Sequence, residues 1–316
     1  MSRKQPINNI VVVSDTHCGC GLGLMPPEFR RDESNRIMAS PFQEQLWGMW
    51  QEFWGTWVPE ATRGEPFAVV HNGDAIDGVH HNSTTQVTHN LHDQKKIAAA
   101  CLKPIVQLCE GRYFHIRGTE AHVGKSGECE ESLAETLDAI PSQEGHYARY
   151  DLWLRIGPDN DLVHLLHHIG TTGSAAYEAT AVHKELTESF NEAARWGRQP
   201  ASIIVRSHRH RHIQTVMPWQ KGEARAVVTP AWQGKTPFAW KIPGARLAQP
   251  QFGGVLIRYA HGRLFADARV WTLAPSPTEL IALPEVSAPS RKQPRTSTSR
   301  RGSARSQKQA ARQSRS

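Results

Sequence analysis

The stretch Ile10-Val11-Val12-Val13-Ser14-Asp15-Thr16-His17 decides how this chain is read, because four β-branched or branched apolar residues end abruptly in a polar run. A strand buried on both faces of a parallel sheet has such an apolar run, and its carboxyl end is where the sheet presents side chains to a ligand. The pattern recurs along the chain. Phe67 to Val70 leads to Asn72-Gly73-Asp74, and Arg112 to Arg117 leads to Gly118. Leu162 to Leu166 leads to His167-His168, and Ser202 to Val205 leads to Ser207-His208-Arg209-His210. Helical patterns over 93–110 and from Ala175 to Trp196, the second closed by Gly197, fall between these strands. Alternation of strand, helix and strand predicts parallel crossover units and therefore an α/β class.

Around this frame, Gln43 to Trp57 sets Leu46, Trp47, Trp50, Phe53, Trp54 and Trp57 at helical spacing, as a face packed on a core requires. Residues 18–40 read as a loop. Arg225 to Val228, Gly254 to Tyr259 and Leu264 to Trp271 lack long helices between them and predict a β-rich completion of the same domain. The expected organisation is one domain over 1–274 and a Pro/Ser/Arg-rich disordered basic tail over 275–316. Beyond Ser287 almost no apolar area remains to offset chain entropy.

Composition narrows the class further. With 39% hydrophobic residues and ten Trp in 316 residues, the body can bury a core, which excludes a wholly disordered chain. Of the 37 Lys/Arg, nine lie in 286–316 together with none of the 30 Asp/Glu, so 1–285 holds 28 basic against 30 acidic residues. The +7 formal charge thus belongs to the tail, and a body that binds nucleic acid over a uniformly cationic surface is not expected. Five scattered cysteines, and an N-terminus MSRKQPINNI without the apolar segment of a signal peptide, predict a cytoplasmic protein. No apolar run approaches membrane-spanning length, so no membrane partner is expected.

The polar clusters share one chemistry. Asp15 and His17, Asp74, His167 or His168, and His208 and His210 all follow strands, and side-by-side strands can converge them on two cations. Asp-x-His and His-x-His place two side chains on the same side of an extended backbone, because strand side chains alternate with period two, so each pair can chelate. A carboxylate such as Asp74 can bridge ions ~3.5–4 Å apart, an arrangement suited to phosphoester hydrolysis. Cys18-Gly19-Cys20 lacks a second thiolate pair for a zinc site. Gly19, Gly21 and Gly23 do not precede a helix start, so no phosphate-binding loop is read there. His71, His89, His92, His115, His146, His183 and His261 are expected to lie at the surface or in hydrogen bonds, whereas His80 and His81 could contact substrate.

These blocks resemble the calcineurin-like metallophosphoesterase superfamily, whose pattern runs D-x-H, G-D-x-x-D, G-N-H-[DE], a strand-end H, and G-H-x-H. Here they stand as Asp15-Thr16-His17, Gly73-Asp74-Ala75-Ile76-Asp77, the His167-His168 doublet and Ser207-His208-Arg209-His210, over roughly residues 7–273. The third block departs from the pattern. Arg117-Gly118-Thr119-Glu120-Ala121-His122 replaces Gly-Asn-His, and the form GTEAHVGKSG looks like a phage or prophage variant, which would place the protein in a host cytoplasm. The resemblance implies a four-layer α-β-β-α sandwich of two mixed β-sheets flanked by helices. It also implies two divalent or trivalent ions, drawn from Mn, Fe, Zn, Co or Ni. Asp15, His17 and His210 would hold one ion, His167 and His208 the other, and Asp74 would bridge them. Thr119 or Glu120 would stand in for the missing Asn, His122 would protonate the leaving group, and Asp77 would orient the acid or a ligand. The implied reaction is in-line attack on phosphorus by a metal-bound hydroxide. Three functions are open from sequence: a phosphatase or phosphodiesterase, a nuclease held on DNA or RNA by tail 286–316, and a degenerate member that only binds. The tail reads equally as a solubility extension.

Overall fold

β-Branched residues favour the extended backbone, and the five residues of Asn9–Val13 form a strand with every side chain buried. Its two faces have different partners. Ile10 and Val12 point into one apolar cluster, Val11 and Val13 into another, as period-two alternation requires. The computed structural model that shows this describes residues 6–31, 35–80, 82–170, 174–242, 245–274, 278–279 and 281. The chain divides into two units, Met1–Ala274 and Pro275–Ser316, and the elements below belong to the first. His81 and the basic segment 286–316 lie outside the described residues.

In chain order the strands are β1 (Asn9–Val13), β2 (Glu28–Arg30), β3 (Arg36–Met38), β4 (Phe67–Asn72), β5 (Tyr113–Ile116), β6 (Ala148–Arg149), β7 (Asp151–Ile156), β8 (Asp161–Leu166), β9 (Ile203–Arg206), β10 (Ile213–Trp219), β11 (Gly222–Val228), β12 (Gln251–Ala260) and β13 (Arg263–Thr272). The α-helices are α1 (Pro41–Glu52), α2 (Val58–Thr62), α3 (Leu91–Leu108), α4 (Glu120–Val123), α5 (Glu128–Thr136) and α6 (Glu178–Arg195). One sheet has the order β13-β12-β1-β4-β5-β6 and the second β10-β11-β9-β8-β7. Both are mixed. β1, β4, β5 and β6 run parallel while β12 and β13 join antiparallel; β8, β9 and β11 run parallel while β7 and β10 flank them antiparallel.

The layers follow from the apolar faces. Ile10, Val12, Val70, Val163, Ile203 and Val205 fill the space between the sheets. Val11, Val13 and Val69 pack outward on Leu46, Trp50, Ile97 and Leu102 of α1 and α3. On the far side Leu162, Ile204 and Ala226 pack on Val182 and Leu186 of α6. The result is an α-β-β-α sandwich, the fold class expected above. Each fully buried Val or Leu contributes roughly 1.5–3 kcal/mol to this arrangement.

Three local expectations need correction. Residues 18–40 are not all loop, since β2 and β3 form a small hairpin. Gln43 to Trp57 is not one α-helix: α1 starts at a Ser40 capping box completed by Gln43, and Phe53–Trp57 forms a π-helical turn before α2. The strands β7 and β10 escaped the reading because they are sheet edges, with exposed Trp153 and the strand-interior Pro218 blurring their alternation.

Candidate metal centre

Beyond β1 and β4 the chains continue side by side, with Asp15 N donating to Gly73 O (2.9 Å), His17 N to Asp74 O (3.0 Å) and Cys18 N to Ala75 O (2.9 Å). This locks Asp15 and His17 beside Asp74. The backbone there is left-handed rather than extended: φ is 52° at Asp15, 40° at His17, 55° at Asp74, 71° at His208 and 54° at His210. The expected strand-like chelation by Asp-x-His and His-x-His is therefore wrong in its geometry. Left-handed turns, costly for side chains larger than glycine, aim these groups inward, and such strain concentrates at functional sites.

The six expected ligands come together. Ligand atoms of Asp15, Asp74, His167 and His208 lie within 4.8 Å of one another, as do those of Asp15, His17 and His210. His167 Nε2 is 3.1 Å and His208 Nδ1 3.9 Å from Asp74 Oδ2; His210 Nε2 is 3.2 Å and His17 Nε2 3.9 Å from Asp15 Oδ1. Asp74 also shares a 4.8 Å group with His17 and His122, so it touches both sets. Of the doublet, buried His167 enters the cluster, while His168 is exposed with its ring 5.2 Å from that of His167.

The donor set fits cations. His167 Nδ1–H donates to Asn72 O at 2.6 Å, which leaves the Nε2 lone pair facing Asp74 in the neutral ring. His17 Nε2 and His210 Nε2 face each other at 3.2 Å, and at most one proton can lie between them. Buried Asp15 Oδ1 and His167 Nε2 have no hydrogen-bond partner among the described residues. Carboxylate oxygens and imidazole nitrogens so arranged suit first-row divalent ions.

Burial and charge pull against each other throughout the cluster. Burial pushes the Asp15 and Asp74 carboxyls up, but neighbouring imidazoles outweigh it: His210 chiefly at Asp15, His167 and His122 at Asp74, leaving both well below the ordinary range. His167 is held at about 10, because the Asp74 charge overcomes a burial effect of opposite sign. His17 also moves up against burial, through its contact with Asp77 and the charge of Asp74. Burial lowers His210 despite Asp15, and lowers His122 to about 4.

The remaining expected residues have distinct places. Asp77 is buried and holds His17, with Oδ1 3.4 Å from His17 Nδ1, and takes hydrogen bonds from Gln86 Nε2 (2.7 Å) and Gln233 Nε2 (3.1 Å). Its backbone carbonyl receives Nδ1–H of His122 at 2.6 Å. The His122 ring packs edge-on against His17 and His80, centroids 4.4 Å from each. Thr119 Oγ1 donates to Asp74 Oδ1 at 3.1 Å, and its backbone N–H donates to the same oxygen at 2.7 Å. Glu120 is exposed and in no cation-binding group among the described residues. Of the two stand-ins for Asn, Thr119 is the one beside the cluster.

Sequence reasoning missed the supports. Glu130 of α5, fully buried, accepts Ala75 N–H at 2.7 Å and Gly118 N–H at 2.5 Å, tying the Asp74 loop to the Thr119 loop. No local pattern marks it, because Ala75 is 55 residues away. His71 and His115 are hydrogen-bonded, as expected, to Thr16 Oγ1 (3.2 Å) and Tyr113 OH (2.8 Å), and they are also buried and stacked at 5.0 Å. Ser207 Oγ joins Asn72 Nδ2 (2.6 Å) to Thr229 Oγ1 (2.7 Å), giving this departure from the Gly pattern a bridging position between the sheets. Cys18 and Cys20 are buried free cysteines.

No protein-family model matches the chain, and no curated protein matches it. Among solved structures it is similar to vacuolar protein sorting 29 from Cryptosporidium parvum, at 12% identity and TM-score 0.33, over 85% of this chain and all of that one. It is also similar to the sulfate thiohydrolase SoxB of Thermus thermophilus in complex with glycerol, at 13% identity and TM-score 0.36, over 86% of this chain and 57% of that one. A 5′-nucleotidase from Candida albicans gives 10% identity and TM-score 0.35, over 85% and 52%. At such scores no activity, ligand or partner passes from those proteins to this chain. Among the described residues no helix is long and apolar enough to cross a membrane.

Proposed function

We propose that the chain is a metal-dependent phosphoester hydrolase of the calcineurin-like metallophosphoesterase superfamily, in the phage-type variant that its third block resembles. The observation that carries this reading is the convergence of Asp15, His17, Asp74, His167, His208 and His210 into two overlapping groups of ligand atoms. Asp15, His17 and His210 would hold one cation, His167 and His208 a second, and Asp74 would bridge them. Two such ions, when bound, would polarise a phosphoryl group and lower the pKa of the attacking water.

The chain's own residues do the rest. Asp77 fixes the His17 ring, and Thr119 and Glu130 hold the Asp74 loop, so the ligands are oriented before substrate arrives. His122 keeps its Nδ1 proton on Asp77 O and offers Nε2 to the leaving oxygen. Burial keeps that ring neutral near pH 7, and an arriving phosphoryl anion favours the imidazolium that an acid needs.

Hydrolysis of a panel of phosphomonoesters and diesters, before and after chelation and with metal restored, tests the reading. Activity lost on chelation and recovered with Mn, Zn, Fe, Co or Ni is expected; a protein that holds metal yet cleaves no ester would contradict it. Attachment to nucleic acid through residues 286–316 is a separate proposal. Deleting them should weaken DNA or RNA retention at low salt and leave small-ester turnover unchanged.

A further inference from the structure

Resting on the phosphoester reading, we infer that the site serves compact esters whose esterified group is apolar, and that Arg209 receives their anionic end. A cavity of about 470 Å³ opens over the cluster, and His17, Asp74, Thr119 and His122 line its floor. That volume falls in the range of small-molecule sites. The opposite wall comes from the segment after Gln233, where Phe238, Ala239, Ile242, Ala248 and Pro250 face the same space.

This segment is unusual in its exposure. Phe238 and Ile242, which line the cavity, are 44% and 37% exposed, and Trp240 (56%) and Leu247 (88%) belong to the same segment. Apolar side chains left exposed along one segment beside a cavity suit an apolar ligand. A polyol such as glycerol would leave that wall uncovered.

The charges complete the match. Arg211, Lys235 and Arg209 all line the cavity. Arg211 is already paired with Glu178 at 3.0 Å, and Lys235 lies 3.5 Å over the Trp240 ring. Arg209 donates only to the backbone carbonyls of Gly170 and Glu178, and among the described residues no carboxylate stands within ion-pair distance of it. Glu178 and Glu185 act on it only from beyond that distance, so its guanidinium can still take an anion. The cavity therefore joins a cationic side, at the cluster and Arg209, to an apolar wall on which Lys235 lies over Trp240.

Calorimetric titration of the metal-loaded full chain with two non-hydrolysable probes, 1-naphthylmethylphosphonate and 2,3-dihydroxypropylphosphonate, tests the assignment. The naphthyl probe should bind about tenfold more tightly or better, as burial of its apolar surface requires. Ile242→Asp, a surface change that leaves the core intact, should bring the two probes within about twofold. Arg209→Gln should weaken both probes alike. Equal binding of the probes by the unaltered protein, or an undiminished preference in Ile242→Asp, would overturn the assignment. So would displacement of the naphthyl probe by a single-stranded oligonucleotide that binds more tightly. Steady-state turnover of 1-naphthyl phosphate and glycerol 2-phosphate separates the two readings. Selective probe binding without hydrolysis of either ester defeats the hydrolase and leaves the cavity assignment standing; hydrolysis of both with equal efficiency defeats only the cavity assignment.

Discussion

Val12 and Asp15 stand three residues apart and are equally buried, each with no exposed surface. Val12 sits in an extended strand among aliphatic side chains between the two sheets. Asp15 sits in a left-handed turn, its carboxylate against imidazoles and another carboxylate. Every local feature at Val12 agrees with the fold, whereas Asp15 combines backbone strain with desolvated charge. The difference separates what stabilises the sandwich from what it is built to hold: the apolar interior supplies folding free energy, and the left-handed backbone of the carboxyl edge consumes part of it.

Substitutions at the two places should have opposite signatures. Asp74→Asn removes a charge common to both ligand sets, and turnover should fall by about 10³-fold or more. Val12→Ala should instead cost roughly 1–3 kcal/mol in a denaturant titration, with activity per folded molecule unchanged. Loss of stability without loss of turnover in Asp74→Asn would erase the distinction.

pH sharpens the comparison, because the core has no proton to lose. In the metal-free protein His167 is raised to about 10. Its contribution to stability is thus complete below its unfolded value near ~6.5 and disappears as pH rises through about 10. Asp15 and Asp74 are depressed, so their contribution is present above ~3.9 and disappears on acidification. A cation must displace the His167 proton. Metal affinity should therefore rise about tenfold per pH unit between ~6.5 and ~10, measured by competition with a chelator of known pH dependence. A flat profile would mean that metal binding displaces no proton from His167 over this range.

Two glycines give a smaller contrast. A Cβ on Gly118 would stand 2.0 Å from Asp74 Oδ1 and 2.3 Å from Asp74 N, so Gly118→Ala should weaken metal binding by roughly 10–100-fold through displacement of that carboxylate. Gly48, inside α1, has nothing within 4 Å of the same position. Gly48→Ala should raise stability by about 0.5–1 kcal/mol and leave metal binding untouched, since only helix propensity changes.

The same division sets how far sequence alone could reach. Runs such as Ile10 to Val13 and Ile203 to Val205 announce buried strands, because an unbroken β-branched run leaves little alternative to a strand covered on both sides. The polar residues that follow them name the cluster. What the chain concealed is conformational and long-range. Nothing in the letters Asp-Thr-His shows a positive φ, and the pairing of Glu130 with Ala75 and Gly118 exists only once α5 and two separate loops have met. The apolar wall after Gln233 and the placing of Arg209 on the same cavity needed coordinates.

Anomalous diffraction from crystals grown with manganese or zinc addresses the cluster most directly. Two peaks ~3.5–4 Å apart, with Asp74 reaching both, His167 and His208 on one side and Asp15, His17 and His210 on the other, are expected. A single ion held elsewhere, or none within reach of Asp74 in a chain that still hydrolyses phosphoesters, would contradict the account.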